Sequence, residues 1–154
     1  MPTTRTSGLR RAAVLLTTMA GIGAGAAAVA TPAQATNIDT WSSFWQPCGT
    51  YMCLYYSPAL DNASWRPSGT ADADLANNYF SNGGTGTAGS GQVVANNAAS
   101  MGNNTTNCNV TTWVYANYTG YSSADNNWLH AGHAGNLTSH LRNNERSIKV
   151  NSCT

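Results

Sequence analysis

Trp113-Val114-Tyr115-Ala116-Asn117-Tyr118-Thr119-Gly120 has the form aromatic-x4-aromatic-x-Gly, and Asn143-Asn144-Glu145-Arg146-Ser147 follows it downstream. A looser copy stands in the first half. Tyr55-Tyr56-Ser57-Pro58-Ala59-Leu60-Asp61-Asn62 has Leu at the second aromatic position and Asn in place of Gly, and Asn96-Asn97-Ala98-Ala99-Ser100 repeats the Asn-Asn-x-x-Ser. Asn is the residue best able to replace Gly at positive φ. A Gly or Asn two residues after an aromatic allows a folded-over hairpin, with the ring covering it. A serine later in each copy can satisfy the backbone groups of that hairpin, which otherwise cost desolvation energy. Two such copies, paired, bury one shared core between two sheets.

The surrounding text agrees with an all-β reading. Met52-Cys53-Leu54-Tyr55-Tyr56, Gln92-Val93-Val94-Ala95, Val110-Thr111-Thr112-Trp113-Val114-Tyr115 and Ser147-Ile148-Lys149-Val150 are short aromatic and β-branched runs. Between them lie turn formers, above all Asn, which occurs 18 times from Asn37 to Asn151. Short strands between turn-rich segments predict a sandwich or barrel. Residues 72–80 are the one place where a short helix is expected, with Leu75, Tyr79 and Phe80 on a shared face. Residues 82–91, NGGTGTAGSG, read as a flexible connection. Trp41, Phe44 and Trp45 form an aromatic arm expected to pack on a small core, which gains from aromatic area.

The paired motifs resemble the βγ-crystallin fold, whose Greek keys carry an aromatic-x4-aromatic-x-Gly hairpin and a later [Asn/Asp]-[Asn/Asp]-x-x-[Ser/Thr]-Ser signature. The copies span residues 53–101 and 110–150. Both lack the final Ser, having Met101 and Ile148 instead, and the first hairpin departs at Asn62. With a Cys pair just before an L-Y-Y strand, the chain is similar to the secreted actinobacterial metalloproteinase-inhibitor family built on that fold. The resemblance implies a disulfide-braced βγ-crystallin-like Greek-key β-sandwich. It also implies calcium ligands: the carbonyls of Ala98 and Glu145, the hydroxyls of Ser100 and Ser147, and the side chains of Asn97 and Asn144. All are hard oxygens, as Ca²⁺ prefers, but none is a carboxylate, so binding is expected to be weak, at roughly 10⁻⁴–10⁻³ M. The competing reading is that Asn-Asn only caps turns.

Residues 1–35 read as a secretory signal peptide. Arg5, Arg10 and Arg11 precede an uncharged stretch from Ala12 to Ala30, and Ala33-Gln34-Ala35 supplies an A-x-A site. Cleavage after Ala35 leaves 119 residues (154 − 35), with an N-terminal arm over 36–47 and one domain over 48–154. Four basic residues (Arg66, Arg142, Arg146, Lys149) then face six acids, a net charge of −2. That gives no clustered cation for nucleic acid and no basic stripe for a membrane surface. A secreted monomer is expected.

Four cysteines in a small exported domain read as two disulfides. Three pairings are possible and sequence does not choose among them; Cys48–Cys53 as a local clip with Cys108–Cys153 as a longer staple is favoured. Closing the longer loop is worth about 4 kcal/mol against about 2 for the shorter. His130-x2-His133 with His140 has poor zinc spacing, and C-x4-C alone is no better. No Gly-x-Ser-x-Gly elbow occurs, and Asp72 and Asp74 diverge at i, i+2, so no catalytic set is assembled. The chain is therefore expected not to be an enzyme. The expected function is a peptidase inhibitor, chiefly of metalloproteinases, acting by reversible occlusion with a secreted peptidase as its partner. A carbohydrate- or cell-wall-binding module, and a toxin-like or purely structural crystallin-fold protein, are the alternatives.

Overall fold

The computed structural model describes residue 38 and residues 41–44, 46–123 and 128–154. The expected leader over 1–35 lies outside the described residues, as do Trp45 and residues 124–127. Eight strands carry the described chain: β1 (Met52–Ser57), β2 (Asp61–Trp65), β3 (Ala71–Asp72), β4 (Ser100–Asn103), β5 (Cys108–Tyr115), β6 (Thr119–Ser122), β7 (Ala134–Asn136) and β8 (Ser147–Cys153). They form two four-stranded sheets of order β2-β1-β4-β7 and β3-β8-β5-β6. Every pairing among these strands is antiparallel. The first four strands fall in the first motif and the last four in the second. Each motif therefore lends its third strand to the other's sheet: β3 pairs with β8, and β7 pairs with β4. Neither sheet is complete without both copies, which is why the sequence carries the pattern twice.

The two hairpins fold over at matched positions. Ala59, Leu60 and Asn62 take φ of 59°, 60° and 65°, and Asn117, Tyr118 and Gly120 take 59°, 60° and 78°. Asn62 thus does what Gly120 does. A Cβ on Gly120 would lie 2.4 Å from the Tyr115 ring, so a ring does cover that glycine, but it belongs to Tyr115 and not to Tyr118, the aromatic two residues before it. Trp113 and Tyr118 meet edge to face at 5.4 Å.

Strand β1 is buried on both faces, and the reason is the arm. Met52 and Leu54 point into the main core with Trp65, Met101, Val110, Leu141 and Ile148, while Cys53 and Tyr55 join Leu60 and Ala134 on the opposite face. Trp41, Phe44 and Cys48 pack over that second cluster. Trp41 exchanges backbone hydrogen bonds with Ala134, its N–H donating to Ala134 O at 2.8 Å and its carbonyl accepting at 3.0 Å. Phe44 lies so close to Gly102 that a Cβ there would come within 3.0 Å of its ring. The described part of the aromatic arm is packed.

Disulfides join Cys48 to Cys53 and Cys108 to Cys153. Three sequence expectations fail. Residues 72–80 form no helix beyond the 3-10 turn Leu75–Asn77, because Asp74 caps it through Ala76 N–H and Asn78 is already extended. Leu75 and Phe80 are buried, but Tyr79 is 62% exposed, so the three share no face. The Gln92–Ala95 run is a turn with a single bridge, Val93 to Tyr79, and no strand. The glycine-rich 82–91 loop is not a free connection. Ala88 O accepts from Ala63 N–H at 3.1 Å, Gly91 N–H donates to Phe80 O at 2.8 Å, and Gly89 (φ 83°) sits against the Tyr56 ring.

Candidate functional site

The Asn-Asn-x-x-Ser segments meet at the junction of the two motifs, and each residue has an identifiable task. Ser100 Oγ donates to Ser57 O at 2.6 Å and accepts from Leu60 N–H at 3.0 Å. Ser147 Oγ donates to Tyr115 O at 2.6 Å and accepts from Tyr118 N–H at 3.1 Å. Both serines are fully buried and staple their own hairpins at equivalent atoms. Asn96 and Asn143 take positive φ, 61° and 55°. Their N–H groups cross to the other copy: Asn96 N–H donates to Glu145 O at 2.8 Å, and Asn143 N–H to Ala98 O at 2.8 Å. The side chain of Asn97 caps its own turn, with Nδ2 donating to Val93 O at 3.0 Å and lying 3.3 Å from Ala95 O. Asn144 Nδ2 donates to His140 O at 3.0 Å. All six residues named for calcium thus make protein hydrogen bonds at this junction, with the two hydroxyls directed at hairpins and the two amides at their own turns.

The symmetry breaks where Ala98 faces Glu145. The Glu145 carboxylate is fully buried and accepts N–H bonds from both copies: Ala98 at 2.7 Å and Asn97 at 3.1 Å on Oε1, and Asn144 at 3.1 Å on Oε2. Burial pushes this carboxyl up to about 8, while the backbone N–H groups around it pull it down. Sequence reasoning had used only the carbonyl of Glu145. The missed signal was a single acid among uncharged turn residues, since a charge enters such a junction only if donors await it. Next to it, Arg146 Nε donates to Asp74 Oδ1 at 2.6 Å, tying the second signature to the 3-10 turn of the first motif. That pairing and a backbone bond from Ala76 hold the Asp74 carboxyl below its usual range.

A second feature is the loop 104–107, which joins the motifs. Both disulfides border it. Asn104 N–H donates to Tyr51 O and its Nδ2 to Gly49 O, each at 2.9 Å, which ties it to the segment closed by Cys48–Cys53. Asn107 Nδ2 donates to Thr154 O at 2.8 Å and Asn107 O accepts from Thr154 N–H at 2.9 Å, beside Cys108–Cys153. Underneath, buried Asn103 donates through Nδ2 to Cys108 O and Leu129 O, both at 2.8 Å, and accepts from Thr105 N–H at 3.0 Å. Asn104, Thr106 and Asn107 remain exposed. Open depressions of about 390 and 360 Å³ border the loop.

The histidines do not converge. His130 and His133 stand 5.6 Å apart as ring centroids on one turn, whereas His140 packs on Tyr121 at 4.8 Å. Among the described residues no group of three or more His, Cys, Asp or Glu side chains is gathered for a metal.

Comparison with known proteins supports the fold and nothing finer. A solved structure described as "Evolution of the eye lens beta-gamma-crystallin domain fold" superposes with a TM-score of 0.50 at 13% identity, covering 72% of this chain and 93% of that one. The chain therefore has the βγ-crystallin domain fold. No protein-family model and no curated protein matches it.

Proposed function

We propose that this is an exported peptidase inhibitor that occludes an active-site cleft with the loop 104–107, acting by binding and not by chemistry. The observation that carries the reading is a loop exposed at Asn104, Thr106 and Asn107 yet fixed from beneath and on both sides. An inhibitor gains from such a loop, because each side chain already held in its bound shape avoids about 0.5–1.5 kcal/mol of ordering cost. The two disulfides agree with an oxidising destination, as does the leader-like sequence over 1–35. The resemblance to secreted metalloproteinase inhibitors makes metallopeptidases the first targets.

The test is titration of purified mature protein against a panel of metallo- and serine peptidases. Stoichiometric loss of activity near equimolar ratio, reversed on dissociation, is the expected result. Thr106→Trp, at the exposed tip, should abolish the inhibition without shifting Tm. If the panel is untouched while insoluble glycans retain the protein, the wall-binding reading replaces this one.

A further inference from the structure

We propose that the junction of the two Asn-Asn-x-x-Ser segments is a carboxyl-binding nest, occupied by the chain's own Glu145 and open to a small carboxylate once that side chain is shortened. The geometry is that of a concavity lined by backbone N–H groups, with Asn97 and Ala98 donating from one motif and Asn144 from the other. Successive inward N–H groups make a concavity that accepts carboxyl oxygens and repels cations. The Glu145 side chain spans the motif boundary, so its two oxygens bind the halves of the domain to each other. On the opposite side of the repeat stands Ala98, which has no group to offer. One carboxyl therefore serves both copies.

No side-chain charge holds the group in place. The first-motif segment from 92 to 103 contains no titratable residue. The ionisable groups of the neighbouring segments are Asp72, Asp74, His140, Arg142 and Arg146, of which Arg146 is committed to Asp74. Burial and backbone N–H groups alone set the proton affinity of Glu145. The nest belongs to the fold itself and is independent of the inhibitory reading of the 104–107 loop.

Glu145→Ala with formate, buffered near the pKa of formic acid so that neutral acid and anion are both present, is the direct test. The variant should melt well below the parent, because three buried donors lose their acceptor. Formate at several hundred millimolar should then raise its Tm by about 5 °C over the same concentration of sodium chloride, and the parent should not respond. Equal recovery by chloride, or none by formate, overturns the proposal. Should Glu145→Ala fail to fold, the parent protein decides by amide hydrogen exchange read by NMR. The amides of Asn97, Ala98 and Asn144, held by one carboxyl, should exchange with a common protection factor. Unequal protection of the two motifs' amides would overturn the shared nest.

Discussion

Replacing Ser147 by alanine tests whether the signature serines hold the hairpins, and the structure fixes the size of the effect. The hydroxyl makes two bonds at once, donating to Tyr115 O at 2.6 Å and accepting from Tyr118 N–H at 3.1 Å. Alanine leaves a carbonyl and an N–H without partners at a hairpin corner where Asn117 and Tyr118 already sit at positive φ. Each orphaned buried group costs about 1–3 kcal/mol. Tyr115 is exposed and Tyr118 half-buried, so water reaches part of this corner and the sum falls to about 2–4 kcal/mol. Tm should drop by roughly 10–20 °C for a domain of this size. Ser100→Ala removes the matched bonds to Ser57 O and Leu60 N–H and should cost the same within about 1 kcal/mol. Urea unfolding is the assay, read as a lowered midpoint with unchanged slope. A loss below about 0.5 kcal/mol in both variants would place them among ordinary surface substitutions and refute the stapling argument.

Glu145 gives an unusual pH profile. Its folded-state pKa, near 8, lies above the ordinary 4.5, so it contributes stability that is complete below about pH 4.5 and lost as pH rises toward 8, up to about 5 kcal/mol in all. Denaturant midpoints measured between pH 4.5 and 8.5 should fall in the parent and stay level in Glu145→Gln. Asp74 acts in the opposite sense: its lowered pKa makes the pairing with Arg146 a contribution present above about pH 4 and lost on acidification, so Asp74→Asn should flatten the acid limb. Gly120→Ala should cost about 1–3 kcal/mol by thermal denaturation, from a strained φ of 78° and a Cβ driven into the Tyr115 ring. Millimolar calcium should raise Tm by roughly a few degrees over chelator if the Asn-Asn-x-x-Ser segments bind it weakly, whereas superimposed curves would leave those segments as structural caps alone.

The fold was legible because its demands are local and occur twice. Positive φ at Asn62 and Gly120 and a serine to staple each hairpin are needs that residue type alone can announce. The disulfide partners followed the favoured pairing for a related reason: strand β5 lies beside β8, which brings Cys108 opposite Cys153. What failed was the long middle of the first motif. Residues 72–95 contain too few consecutive residues of one period to form a helix or strand, so their backbone is held by tertiary bonds instead. Leu75 N–H donates to Arg146 O and Val94 N–H to Asn78 O, partners no window of sequence contains. The rigidity of 82–91 was hidden likewise, because composition reports the freedom of an isolated chain and not the Tyr56 ring waiting over Gly89.

The junction was only half legible, and the asymmetry between its halves explains why. The repeat equates Ala98 with Glu145, and a reader of repeats assigns equivalent positions equivalent work through what they share, the carbonyl. Those carbonyls do behave alike, each accepting from the Asn at positive φ in the other copy. The side chains cannot, since a second carboxyl at buried position 98 would have to be desolvated at a junction whose N–H donors already serve Glu145. A buried acid in a two-fold arrangement is therefore admitted once, and the copy that lacks it supplies two of the N–H groups that make it tolerable. Repetition builds the donors in pairs, and burial permits only one acceptor, so the departure from the repeat marks where the two motifs are bound to each other.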